Sequence, residues 1–501
     1  VTTSETNTTV GTFAWKSVAW LSVVAVPLFG TWLASSLAAY GHHGPWKSAL
    51  VGLVLFPVAP ALWETASTLR SGKKRWLTLR DRLVLRTLAV SLLFLVALLV
   101  LFPKKAFSAL ATRGDWMFDG STGTFAENGR AATRTAAHGL EWLYLATRET
   151  PFDSSDVAPK SDELVRETPS ATTTSTALAQ PSASSSTASS SIAAAATGTQ
   201  TPPPQPTVAP SPPVVDTRFT WPAEAKLSPT VTTMPPEAQT SAEAVGAYIA
   251  SHEPTQLGRA RAAHDWVADH IAYDGPSYRA GRYPPQDVAT VFTKRVGVCA
   301  GYAHVFQAIA KSAGLEARYV VGTVRGLDMR PDGDSHAWNA VKIDGAWALV
   351  DTTWDAGHLD GETFVKRYST VYFLAPPEVF RIDHFPDEPE WQLDRKPLDR
   401  VEFFRRPMMT AEFFSDGFVL ESPDRSQVST ESDFRVAIAD PKNLYVLVQD
   451  AKKNCRVERT PGHIAATCPV AGKGLHRVEI FASPVEFGTY HYVGGFEVNR
   501  L

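Results

Sequence analysis

From Ser17 to Tyr40 the chain runs without one charged residue, and this stretch restricts the fold more than any other feature. A helix needs about 20 apolar residues to cross the ~30 Å hydrocarbon layer, so the run reads as a membrane span. The segment Thr87–Phe102 reads as another, with Leu83, Val84 and Leu85 on its near side and Arg86 placed to snorkel towards the headgroups. Between them, Ser48–Trp63 is shorter and carries Pro57 and Pro60; it suits a third span or a buried or interfacial segment. Residues 1–105 are therefore expected to form a membrane domain with two or three transmembrane helices. Arg70, Lys73, Lys74, Arg75, Arg80, Arg82 and Arg86 precede the last span, while Lys104, Lys105 and Arg113 follow it. By the positive-inside rule the preceding loop is cytoplasmic and everything after Phe102 extracytoplasmic. Ser36-Leu37-Ala38 also reads as a signal-peptidase site, and the last span would anchor the chain in either case.

The 501 residues are too many for one ordinary domain and leave room for two or three. Residues 106–150 form a juxtamembrane segment with a short helix expected over 136–145. Residues 151–220 are rich in Ser, Thr, Ala and Pro and poor in large apolar side chains, too poor to offset the entropy of ordering, and read as a disordered linker. Its end, Pro202-Pro203-Pro204-Gln205-Pro206, favours extended geometry and is expected to hold the following domain away from the bilayer. From 221 to 400 the composition is that of a mixed globular domain, with helical spacing in Ala244, Val245, Tyr248 and Ile249 and again in Ala263, Trp266, Val267 and Ile271. From 401 to 501 the pattern alternates, as in Val446, Val448 and Val478, Ile480, Ala482, and predicts a β-sandwich. A net charge of −3 gives no reason to propose a nucleic-acid partner. Of three cysteines, Cys455 and Cys468 lie close together in this last region. They are a candidate disulfide in an oxidising compartment, or two partly buried thiols.

Cys299 stands apart. Cys299, Tyr302, Phe306, Ile309, Ala310 and Ala313 recur at the spacing of one helical face, and Gly314 follows as a stop. The cysteine thus falls in the first turn of a helix, where free backbone N–H groups and the dipole favour a thiolate over a thiol. Downstream, His336–Ile343 and Ala346–Asp351 flank Asp344-Gly345, a strong hairpin signal. If Ile343 pairs with Ala346, Asp351 falls opposite Trp338 and diagonal to His336, a separation of roughly 7–8 Å between backbones that the two side chains can close. A one-residue slip would send Asp351 to the other face.

The segments Gly297-Val298-Cys299-Ala300-Gly301-Tyr302-Ala303, His336-Ala337-Trp338-Asn339 and Trp347-Ala348-Leu349-Val350-Asp351-Thr352-Thr353-Trp354 resemble three motif blocks of the transglutaminase-like superfamily. Asp351-Thr352-Thr353-Trp354, Tyr372-Phe373-Leu374, His384-Phe385-Pro386 and Trp391-Gln392-Leu393 are similar to the branch that includes kyphoscoliosis peptidase. The resemblance covers about residues 240–395. It implies a papain-like α+β core, a helix bearing the cysteine beside an antiparallel sheet bearing the other two residues. It also implies a nucleophile at Cys299, a base at His336 and an orienting acid at Asp351. No calcium-site pattern of the animal enzymes and no side-chain oxyanion donor is matched, and no cofactor or metal is expected.

Taken singly, Cys299 reads as a buried thiol and His336 as a structural histidine; their joint placement is what points to a triad. Trp338, Trp347 and Trp354 either shield a thioester from water or pack as core, and Tyr302 and Asn339 are similar cases of pocket or support residues. Asp328–Asp334 reads as a solvated turn and His42-His43 as a polar connection. The expected chemistry is attack of the Cys299 sulfur on an amide of a protein or cell-envelope peptide, giving a thioester resolved by water or by an amine. The competing reading is a non-catalytic binding or scaffold module with the same fold, displayed outside the membrane.

Overall fold

The computed structural model describes residues 6–70, 77–119, 121, 123–146, 151–152, 219–326 and 333–501. The expected disordered linker lies almost entirely outside these residues, as does most of the Asp328–Asp334 turn.

Helix α1 spans Thr6–Tyr40. A second helical stretch follows as α2 (Pro45–Leu53), an irregular turn at Val54–Val58 and α3 (Ala59–Arg70). The irregularity coincides with Pro57 and Pro60, whose missing N–H groups cannot extend a regular ladder. α4 runs Leu79–Leu101, with the Thr78 hydroxyl accepting from the Asp81 N–H at its start. Val23–Tyr40, Pro45–Arg70 and Leu79–Leu101 are each long and apolar enough to cross a membrane, so the middle segment also has the length of a span. Its Glu64 takes ion pairs from Arg82 (2.9 Å) and Arg86 (3.1 Å) of α4.

Beyond α4, α5 (Pro103–Arg113) is buried from Ala106 to Arg113. The single helix expected over 136–145 is two, α6 (Thr124–His138) and α7 (Glu141–Ala146). The chain breaks at Gly139, the poorest helix former of the run. The break lets Tyr144 bury its ring 5.0 Å from Phe107 and 5.9 Å from Phe404.

Residues 242–386 form the α+β core. Helices α8 (Ala242–His252), α9 (Gln256–His270) and α10 (Cys299–Ser312) bury Val245, Trp266, Val267, Phe306 and Ile309 in one cluster with Ala317, Val341 and Val350 of the sheet. That sheet is antiparallel. Its strands are β1 (Glu316–Val324), β2 (Asp334–Ile343), β3 (Ala346–Val350), β4 (Phe373–Ala375) and β5 (His384–Pro386), in the order β4-β3-β2-β1-β5.

Residues 419–500 form two facing sheets. One centres on Tyr445–Asp450, Gly474–Ser483 and His491–Arg500, the other on Phe434–Ala439 and His463–Cys468. Alternation sets the core: Phe434, Val436 and Ile438 face Val446, Val448, Val478 and Ile480. Cys455 and Cys468 are disulfide-bonded.

One expectation fails. The core is not held away from the helices by a Pro-rich spacer, because Leu33, Leu95, Phe107, Leu110 and Tyr144 share a buried cluster with Phe385, Val401, Phe403 and Phe404. Arg405 on the short helix α12 (Arg400–Arg405) donates to Asp115 at 2.7 Å, and both side chains are buried. Apolar burial and this charge pair bind the units directly, and composition of the linker says nothing about such contacts.

Candidate active site

The helix bearing Cys299 starts where the sequence places it. Val298 is its extended N-cap residue, with no side-chain cap of its own. Gln286 fixes this entry: its Oε1 accepts from the Val298 N–H (2.9 Å) and its Nε2 donates to the Pro284 carbonyl (2.9 Å). Gly301 is needed for the approach, since a Cβ there would lie 2.6 Å from Gln286 Oε1. The helix ends before Gly314, which has φ +79°.

The hairpin has the predicted register. Ile343 pairs with Ala346 and Asn339 with Val350, and Asp344 and Gly345 both take positive φ, as a tight two-residue turn demands. Asp351 then leaves the ladder and caps the short helix α11 (Thr352–Ala356). Its two oxygens divide the work. Oδ1 accepts from the N–H groups of Thr353 (2.8 Å) and Trp354 (3.3 Å), which holds the carboxylate still. Oδ2 is left for His336 Nε2, 2.8 Å away.

Cys299, His336 and Asp351 are all buried, the cysteine to 1 % exposure. Burial alone would lower the His336 pKa; the Asp351 carboxylate and then Cys299 outweigh it and raise it to about 10. Burial alone would raise the Asp351 pKa, but His336 and then His384 hold it well below the usual carboxylate range. With Nε2 on the carboxylate, Nδ1 is the ring nitrogen left to meet the sulfur.

A second histidine was given no role by sequence reasoning. His384 Nε2 lies 3.2 Å from the same Asp351 Oδ2, and its Nδ1 lies 2.6 Å from Asp383 Oδ1. The Tyr372 hydroxyl donates to Asp383 Oδ2 at 2.5 Å. Burial first, and then the Asp383 charge, push the Tyr372 pKa up, which keeps it a donor. Tyr372-Phe373-Leu374 and His384-Phe385-Pro386 were the available signal. Donor atoms of His336, Asp351 and His384 lie within 4.8 Å of one another, close enough to hold a metal ion; here they satisfy one another through Asp351.

The four support candidates separate. Trp354 lines a cavity of about 220 Å³ beside His336, together with Tyr273, Tyr278, Ser335 and Thr353. Trp338 lies fully buried, its ring stacked 6.1 Å from that of His336. The other two brace the frame: the Tyr302 hydroxyl donates to the Ile271 carbonyl (2.7 Å), and Asn339 Nδ2 donates to the carbonyls of Ala303 and Arg318 (3.1 Å each). Trp347 packs edge-on against Trp391, as core. Behind α11, buried His264 bridges Asp265 (2.9 Å) and Asp355 (3.0 Å). Burial works against the charge on His264, yet the two aspartates raise its pKa to about 9.

Residues 243–352 match the family model of the transglutaminase-like superfamily, and this stretch of the chain belongs to that superfamily. Within it the branch is that of kyphoscoliosis peptidase: the human protein of that name is 35% identical over 187 residues, covering 35% of this chain and 28% of its own length. The Lim and transglutaminase domain protein ltd-1 of Caenorhabditis elegans is 28% identical over 189 residues, 33% of this chain and 25% of its own. This chain therefore spans about a quarter of the length of these relatives. A solved structure described as a TGase aligns over 25% of this chain and 34% of its own at 19% identity and a TM-score of 0.20.

Proposed function

We propose that the protein is a membrane-anchored cysteine enzyme that attacks amide bonds of protein or cell-envelope peptides through Cys299, His336 and Asp351. One observation carries the reading: the imidazole of buried His336, held on Asp351 Oδ2 at 2.8 Å through Nε2, interacts electrostatically with a buried cysteine in the first turn of a helix. His336 takes the thiol proton, and the sulfur adds to the amide carbonyl carbon. The backbone N–H of Cys299, at the positive end of α10, stabilises the developing oxyanion. As the C–N bond breaks, His336 returns the proton to the leaving nitrogen, and ammonia or an amine departs from a thioester. Water, deprotonated by His336, then releases the acid and restores the thiol; an amine in its place gives a new amide.

The three apolar stretches support anchoring. His42, between the first two of them, lies 3.8 Å from Glu497 of the sandwich. With three crossings, the sandwich and the Arg- and Lys-rich segment before α4 fall on opposite sides, which supports an extracytoplasmic core.

The near-complete burial of Cys299 favours the competing reading, a binding module that keeps the fold without the chemistry. Alkylation separates them. Because the other two cysteines are bonded, iodoacetamide near neutral pH reports Cys299 alone, and His336→Ala should slow it. Equal rates in both proteins would remove the enzyme. Mass spectrometry of envelope peptides incubated with wild type and Cys299→Ala then scores cleavage, deamidation or new isopeptide links.

A further inference from the structure

The buried cluster around Cys299 has one member from outside the core. Val298, Cys299, Ala300, Ala303, Tyr319, Val321 and Ala337 come from α10, the residue before it, and strands β1 and β2; the eighth member is Phe152, 4 % exposed. Tyr273, Tyr278 and Tyr283 pack around the same cluster, and the Phe152 ring lies 5.3 Å from that of Tyr283 at an angle of 53°. Residues 151 and 152 form a bend, not a helix or strand, so no ladder holds Phe152 in place. Apolar contact does. Pro151 beside it is exposed, and the ring therefore enters the cleft from the surface.

A nucleophile at 1 % exposure cannot meet a substrate carbonyl until something beside it leaves. The other buried members of the cluster, Val298, Ala300, Ala303, Tyr319, Val321 and Ala337, are fixed by the sheet and by α10 or its cap, whereas Phe152 is the one that no helix or strand holds. Tyr273, Tyr278, Tyr283 and Tyr319 supply aromatic surface in this cluster and Ala300, Ala303 and Ala337 small side chains, a chemistry suited to a flat apolar ring. We propose that this cleft is the subsite for an aromatic side chain of the substrate peptide next to the target amide, and that Phe152 occupies it in cis until such a peptide displaces it. The proposal rests on the reading of Cys299 as the nucleophile. It also accounts for the burial that favoured the non-catalytic reading.

The test uses the full chain in detergent and follows alkylation of Cys299 by iodoacetamide. Phe152→Ala should raise the rate by about tenfold to a hundredfold, the range expected when the burial of one large apolar side chain no longer opposes opening. Phe152→Leu, which keeps apolar contact and guards against misfolding of the smaller variant, should fall between the two. In Phe152→Ala, acetyl-phenylalanyl-glutaminyl-glycinamide should restore protection, and its leucyl and seryl counterparts should not. Unchanged rates in both Phe152 variants, or equal protection by the three peptides, would overturn the subsite. His336→Ala in each background separates this from failure of the enzyme reading. If only the enzyme reading fails, the Phe152 effect persists while His336→Ala does nothing. If only the subsite fails, His336→Ala slows labelling while the Phe152 variants match wild type.

Discussion

Asp351 serves two masters with one carboxylate, capping α11 through Oδ1 and holding His336 through Oδ2. Asp351→Asn keeps the shape but removes the charge that raises the His336 pKa, and should cut the alkylation rate of Cys299 by at least about 100-fold, the scale of a positioned acid–base group. Asp351→Ala removes the cap and also the carboxylate that buried His336 and His384 share, and should lower stability by about 3–5 kcal/mol, read by chemical denaturation. The buried histidines predict a pH dependence. His264 and His336 are raised above the ordinary 6.5, to about 9 and about 10, so the stability they add is complete below about pH 6.5 and is lost as pH rises through those values. Asp351 is lowered, so its contribution is present above the usual carboxylate range and is lost as pH falls below it. Melting temperature should accordingly drop between pH 6.5 and about 10, and His264→Gln should flatten that drop below about pH 9. Cys299, His336 and Asp351 were legible because a helix start, a two-residue turn and period-two alternation each fix a local frame. His384 was not: it reaches Asp351 from the far edge of the sheet, where β5 pairs with β1 as Val324 with His384, and no local pattern specifies that pairing.

Among the elements, β1 is the strand on which both histidines are aligned. Gly322 of β1 pairs with His336 on one side and with Pro386 on the other. A Cβ at this position would lie 2.3 Å from both Trp338 Cη2 and the Phe385 carbonyl oxygen. Gly322→Ala must therefore move the tryptophan beneath His336 or the strand carrying His384, and should slow Cys299 alkylation while leaving the far-ultraviolet dichroism unchanged. The helical faces of 242–270 and the alternating strands beyond 434 were readable because one face of each is buried against a single core. The break at Gly139 was not, since what favours two helices there is the seat of Tyr144 against Phe107 and Phe404. Phe404 lies more than 250 residues further along the chain.

For the whole molecule, the apolar N-terminal helices and the core pack against each other. Asp115 accepts from Arg405 and Arg425, and Asp119 from Arg113 and Arg425. Removing one partner of a buried pair leaves a charge without compensation, so Asp115→Ala should cost about 3–5 kcal/mol, seen as a lower midpoint of thermal aggregation in detergent. Orientation has its own check. Phe487 is 96 % exposed on the sandwich, and Phe487→Cys in intact cells should react with a membrane-impermeant maleimide, whereas complete protection would put the sandwich in the cytoplasm.

Ala146 closes α7, and Phe152, in the buried cluster that holds Cys299, is only six residues on. An extended chain of that length covers at most about 22 Å. The pocket proposed around Cys299 therefore lies within that reach of the end of α7. With the proposed anchoring through the three apolar helices, a substrate is met close to the membrane, which suits tethered or inserted neighbours better than molecules diffusing freely beyond it.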